Sequence, residues 1–126
     1  MKRVVFASIL MLTVIFFNSF CLYTVEKTND EVYKKIETIT FLFEGGDIKE
    51  TALECEKFAD YWHKKSRILC LIVRHEPLDR MSSSVACLCS YARYSDYSEL
   101  SAELGRCRSV MDEITDAERP LLRNIF

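Results

Sequence analysis

The chain has 126 residues, of which 49% are hydrophobic and 29% charged, and its formal net charge is −2. This length allows one folded domain, and the near-balanced charge lacks the basic face or stripe that nucleic-acid binding requires. Because the chain has only 3 glycines and 2 prolines, it favours helices joined by short loops over a sheet with many turns.

The N-terminal segment predicts a membrane anchor. After Lys2 and Arg3, no charged residue occurs before Glu26, so Val4–Val25 is uncharged and mostly apolar. As a helix this segment would be about 33 Å long, enough to cross a hydrocarbon core of about 30 Å. Residues 1–25 are therefore predicted to form a cytoplasmic stub and a transmembrane anchor, with the lipid bilayer as partner.

The charges that flank this segment predict its orientation. Basic residues precede it and acidic residues soon follow it, so the short N-terminal end should stay in the cytoplasm. Residues 26–126 would then form an extracytoplasmic domain of a single-pass protein in the cytoplasmic membrane. Two alternatives stay open: cleavage as a signal peptide near Ser19-Phe20-Cys21, and lipid attachment at Cys21. The long apolar run favours an uncleaved anchor.

The first helix beyond the anchor is predicted from apolar residues at spacings of three and four, namely Val32, Ile36, Ile39 and Phe43. It should end at Gly45-Gly46. Thr28-Asn29-Asp30-Glu31 has the spacing of a capping box, which would start a separate helix. Since nothing between Val25 and Asp30 forbids helix, the alternative is one helix that continues the anchor outward.

The second helix is predicted to open at Asp47, with a carboxylate three residues later at Glu50. Its inward positions alternate spacings of four and three, and they are Ile48, Ala52, Cys55, Ala59, Trp62, Ser66, Leu69 and Val73. Small neighbours leave room for the ring of Trp62. We therefore interpret Trp62 as a core residue, with a binding anchor as the alternative.

Prolines delimit the last two predicted helices. Because the residue before a proline avoids helical geometry, His75-Glu76-Pro77 is predicted to be a turn, followed by a third helix from about Leu78 to Tyr94. Ser95 or Asp96 should cap a fourth helix, and Pro120 should close it. The apolar residues from Leu121 to Phe126 are then expected to dock onto the domain or to serve as a partner-binding peptide.

The predicted fold is therefore all-α, an N-terminal transmembrane helix followed by a small antiparallel helical bundle. Three short motifs resemble the domain-of-unknown-function family 4363. They are Trp62, His75-Glu76-Pro77-Leu78-Asp79 and Asn124-Ile125-Phe126. The resemblance covers nearly the whole chain. It implies a small Gram-positive bacterial protein with one N-terminal membrane helix, a helical remainder and no assigned activity.

His75 and Asp79 are four residues apart, and such a pair could bind a metal or act as a base oriented by a carboxylate. We favour a structural role. A histidine at the end of one helix and an aspartate in the first turn of the next suit the two helix dipoles, and a hydrogen bond between them would staple the turn. A partner-binding role is the further alternative.

Three tyrosines, Tyr91, Tyr94 and Tyr97, lie close together in the sequence and could anchor a partner or form the rim of a small core. The 6 cysteines fit no zinc-binding spacing. Cys55 and Cys107 occupy inward positions and are expected to be buried free thiols, with disulfides and redox work as alternatives.

No catalytic, metal-binding or cofactor-binding site is predicted. The leading hypothesis is a non-enzymatic helical module that binds another membrane or envelope protein on the outer face of the cytoplasmic membrane. The alternative is an extracytoplasmic ligand-sensing domain that works through a membrane partner. An enzyme or thiol-redox protein is the third hypothesis, and it would need a pocket that joins His75 to a carboxylate or a thiol.

Overall fold

The computed structural model describes the backbone of residues 1–125 and the side chains of residues 1–117. Regular structure in this part of the chain is entirely helical. The four helices are α1 (Lys2–Glu44), α2 (Ile48–Leu69), α3 (His75–Arg93) and α4 (Tyr97–Ile125). The predicted fold class is confirmed.

The helices form a closed four-membered bundle. α1 packs against α2 and α4, and α3 packs against the same two helices from the other side. Short loops join successive helices, so neighbours run antiparallel. One end of the bundle therefore holds the α1–α2 and α3–α4 loops, and the other holds the α2–α3 loop and the point where α1 enters.

α1 is one helix with two environments. Its side chains are exposed over nearly all of residues 2–20, whereas a stripe from Cys21 onward is buried against the other helices. The alternative of one continuous helix is thus confirmed. Cys21 is 7% exposed and Val25 is 0% exposed, so packing against the other helices starts within the segment 1–25 that the sequence predicts as the anchor. The bundle begins at Cys21.

Two aspartates cap helices as predicted. The Asp47 carboxylate accepts a hydrogen bond of 3.1 Å from the backbone N–H of Glu50, and Asp96 accepts one of 3.4 Å from Glu99. Both bonds satisfy an N–H that the first turn of a helix leaves without a partner. α1 ends at Glu44 with Gly45 as its C-cap, and Gly46 turns the chain with a φ of 79°, which glycine adopts without strain.

The predicted turn at His75-Glu76-Pro77 is wrong. These are the first three residues of α3, and the chain turns instead at Cys70–Arg74. A proline in the first helical turn lacks an N–H that would have no partner there, so Pro77 is compatible with helix. The third helix accordingly starts three residues earlier than predicted.

The predicted end of the fourth helix at Pro120 is also wrong, since α4 continues to Ile125. An internal proline removes a single backbone hydrogen bond and strains the preceding turn, and helices can continue past it at that cost. The expected docking of Leu121 to Phe126 concerns side chains outside the described residues.

The core lies along the bundle axis and uses most of the predicted inward positions. On α3, the apolar residues whose spacings of three and four predict an inward face are all buried, namely Leu78, Met81, Val85, Leu88 and Ala92. The same holds on α4 for Leu100, Leu104, Cys107, Met111 and Ile114. On α2 the heptad is less exact, because Phe58 and Thr51 are buried while Ile48 is 48% exposed. The largest buried side chain is that of Trp62.

Candidate functional site

The three tyrosines do not form one patch. Tyr94 is 78% exposed, whereas Tyr91 and Tyr97 are half-buried and pack against the core. The ring of Tyr97 is tilted by 55° against that of Phe43, with 5.0 Å between the ring centroids. Tyr91 and Tyr97 thus form the rim of the core, and of the three only Tyr94 has a mostly exposed ring.

Two further apolar side chains are displayed at the same end of the bundle as Tyr94. Phe41 is 77% exposed near the end of α1, and Ile48 is 48% exposed at the start of α2. We call Phe41, Ile48 and Tyr94 the distal surface, because they lie at the end opposite to residues 2–20. Sequence reasoning missed Phe41 and assigned Ile48 to the core. The sequence signal for the exposure of Phe41 was its position on α1, which lies outside the inward-facing stripe that contains Ile36 and Ile39.

Trp62 is a core residue, 2% exposed. Its indole N–H donates a hydrogen bond of 2.9 Å to the Ser82 hydroxyl, which in turn donates to the Leu78 carbonyl over 3.0 Å. This chain of bonds links α2 to α3 and satisfies the indole N–H inside the bundle. It leaves Trp62 unavailable as a binding anchor in the folded protein.

His75 and Asp79 are both exposed in the first part of α3. The hydrogen bond expected between them is absent among the described side chains. His75 begins a helix rather than ending one, so the helix dipole no longer favours a cation there. About one turn beyond His75, α3 is linked to α4 by an ion pair between Arg80 and Glu113, with 2.6 Å between the charged atoms.

Two tyrosine–carboxylate contacts tie α1 to its neighbours. The Tyr61 hydroxyl donates to Glu31, and the Tyr33 hydroxyl donates to Asp112. Burial raises the pKa of Tyr33 to about 12, and the Asp112 carboxylate adds to that effect. Burial and Glu31 raise the pKa of Tyr61 in the same way. Both phenols therefore stay neutral donors at physiological pH.

Five of the 6 cysteines, namely Cys55, Cys70, Cys87, Cys89 and Cys107, are free thiols. Cys55 and Cys107 are 0% exposed, as predicted, and burial raises the pKa of each to about 12. The Cys89 thiol donates to the Cys55 carbonyl over 3.3 Å. Because the thiolate is the reactive form, Cys55 and Cys107 have the properties of packing residues rather than nucleophiles.

One buried carboxylate has an oxygen atom without a hydrogen-bond partner among the described residues. Glu103 is 3% exposed, and one of its oxygens accepts a bond from Arg106 while the other has no partner. Among the residues that the structure describes, no group of histidine, cysteine or acidic side chains is placed to hold a metal ion.

The described helices include one, α1, that is long and apolar enough to cross a membrane. The molecule thus belongs to a class of helical bundles whose first helix extends beyond the bundle as an exposed apolar segment. The chain is a member of the DUF4363 family, a domain of unknown function, whose model matches residues 19–125. The resemblance carried by Trp62 and the residues around Pro77 is confirmed.

The matched region begins two residues before Cys21, where the bundle begins, and most of the exposed apolar segment precedes it. Comparison with curated proteins and with solved structures returns no match. The family match thus covers the bundle, and it assigns no activity to it.

Proposed function

We propose that the protein is a non-enzymatic module, anchored in the cytoplasmic membrane by the N-terminal part of α1, that binds another membrane or envelope protein through its distal surface. The bundle would face the outside of the cell, with Lys2 and Arg3 in the cytoplasm. The observation that carries the proposal is the contrast along α1. The same helix is exposed and apolar over residues 4–20 and buried in the bundle from Cys21 onward.

An exposed apolar segment of this length would be unfavourable in water. Its large side chains include Phe6, Phe16 and Phe17, which are 70%, 74% and 62% exposed. Each buried CH₂ group gains about 0.8 kcal/mol on leaving water, so a bilayer that covers the segment would stabilise the protein strongly. The bilayer is the partner of matching length and chemistry.

The distal surface supports the interaction role. Exposed aromatic side chains are the residue type that most often anchors a protein interface, and Phe41 and Tyr94 are each more than three-quarters exposed. The bundle interior, in contrast, is filled by Trp62, Phe58 and Met81, each at most 2% exposed. A binding role through the surface therefore fits the molecule better than chemistry in its interior.

Site-specific photo-crosslinking in intact membranes tests this proposal. Benzoylphenylalanine would replace Phe41, Tyr94 or, as a control, Ser83. Ser83 is exposed on α3 about three turns before Tyr94, so it samples the same helix away from the distal surface. We expect adducts of one mass from positions 41 and 94 and none from position 83.

A second variant separates specific binding from chance proximity. Phe41→Ser should abolish the adduct formed from position 94 if both residues contact one partner. Equal adducts from all three positions, or none from any, would contradict the interaction module. The absence of all adducts would favour the alternative, a ligand-sensing domain.

A further inference from the structure

We propose that the last turn of α2 and the α2–α3 loop together form a second membrane-contacting element, in which Ile68 and Leu71 enter the interfacial layer of the bilayer that holds the N-terminal part of α1. This inference rests on the proposed membrane anchor and adds a lipid-binding surface to it. Neither residue was assigned a binding role from the sequence.

The level of the loop follows from contacts between α1 and α2. The Tyr61 hydroxyl bonds to Glu31, and the Lys35 ammonium lies 4.8 Å from the centroid of the Tyr61 ring. In an antiparallel pair, each step along α2 matches a step back along α1. Ile68 and Leu71 therefore lie at about the level of residues 24 and 21, where α1 leaves the bundle.

Both side chains are apolar and uncovered. Leu71 is 85% exposed and Ile68 is 50% exposed. Exposed apolar side chains grouped in this way mark a surface that binds a protein or a membrane. Their place beside the exit of the apolar segment makes the two surfaces continuous, which favours lipid as the occupant.

The length of the exposed segment supports the same conclusion. Val4–Phe20 has seventeen residues and spans about 26 Å as a helix, which is less than a hydrocarbon core of about 30 Å. The next five residues, up to Val25, are also uncharged and would complete the span. Since Cys21 and Val25 are packed inside the bundle, the base of the bundle must then lie at the edge of the bilayer.

The charges on α2 fit this depth. Lys64 and Arg67 are exposed four residues and one residue before Ile68, on the side of the loop away from the bilayer centre. At the level of residues 25–28 they would reach the phosphates of anionic lipids, which attract basic side chains near the surface. A membrane contact in the interfacial layer typically has apolar side chains toward the acyl chains and basic side chains at the level of the headgroups, which is the arrangement of Ile68 and Leu71 with Lys64 and Arg67.

Quenching by brominated lipids tests the inference on the full-length chain in vesicles of phosphatidylcholine and phosphatidylglycerol. Leu71→Trp would report the loop, Phe16→Trp the anchor, and Phe41→Trp the distal surface. These three positions are matched in exposure, at 85%, 74% and 77%. Trp62, the only native tryptophan, is buried and gives a constant background.

We expect brominated acyl chains to quench the added fluorescence of Phe16→Trp and Leu71→Trp and to leave that of Phe41→Trp unchanged. Quenching at position 16 alone would overturn the inference and leave the anchor standing. Absence of quenching at position 16 would contradict the anchor, and with it the inference. Quenching at all three positions would also overturn the inference, because the bundle would then lie on the membrane along its whole length.

Discussion

The start of the bundle at Cys21 can be tested by a pair of identical substitutions in α1. Val25 is 0% exposed and Val14 is 52% exposed, although both lie in the uncharged segment. Val25→Ala removes two methyl equivalents from the core, worth about 1.6 kcal/mol of transfer free energy. The cavity left behind raises the expected loss to about 2–3 kcal/mol. Val14→Ala should change the free energy of unfolding by less than about 0.5 kcal/mol.

The assay is thermal unfolding of the full chain in detergent micelles. Trp62 is the only tryptophan and sits in the bundle core, so its fluorescence reports the loss of the bundle rather than of the anchor. For a domain of about 100 residues, a loss of 2–3 kcal/mol lowers Tm by about 10 °C or more. Equal Tm values for the two variants would refute the reasoning and return the boundary to the residue after Val25.

Three further predictions concern turns, caps and thiols. In urea unfolding, Gly46→Ala should destabilise the bundle by about 1 kcal/mol because the φ of Gly46 is 79°. Gly105→Ala should stabilise the bundle by up to about 1 kcal/mol, because Gly105 lies in α4 with open space around it. Effects of the same sign would contradict this prediction. Asp47→Ala removes the cap of α2 and should lower the free energy of unfolding by about 1 kcal/mol, whereas Asp47→Asn keeps a side-chain oxygen for the cap and should cost much less. Equal losses for the two variants would show that the charge is what matters. The Cys107 thiol has a pKa of about 12 in the folded state against an ordinary value of 9.0, so the folded state loses stability as the pH rises from 9 toward 12. Cys107→Ala should reduce that loss by up to about 1.4 kcal/mol per pH unit. If the free energy of unfolding falls as steeply with pH in the variant as in the wild type between about pH 8 and 10.5, the prediction is refuted.

The helix interiors and caps could be predicted because they depend on local chemistry. Asp47 and Asp96 each have a short carboxylate that reaches an N–H three residues later, and this contact needs no information from the rest of the chain. The apolar spacing on α3 and α4 likewise identified their buried faces, since a long helix in a bundle must bury one stripe.

The prolines and the displayed residues could not be placed by such rules. Pro77 is compatible with a turn and with the first turn of a helix, and only the end of α2 at Leu69 decides between them. Leu71 is an apolar residue that the fold leaves uncovered, and local sequence does not distinguish it from a core residue. Phe41 lies off the buried stripe of α1, but only the assembled bundle shows that no other helix covers it. Their exposure depends on where the bundle ends, which is a property of the tertiary structure.

The continuity of α1 links the two proposed surfaces. Between Lys2 and Glu44 the helix contains neither glycine nor proline, which are common causes of sharp helix kinks. A bundle carried on such a helix cannot turn independently of residues 2–20, so under the proposed anchoring the α2–α3 loop would stay near the membrane. From Val25 to Glu44 the helix rises about 29 Å, which would set the height of the distal surface above the bilayer. The proposed partner would therefore present its own contact at about that height, as a membrane protein with a folded outer domain or an envelope protein would.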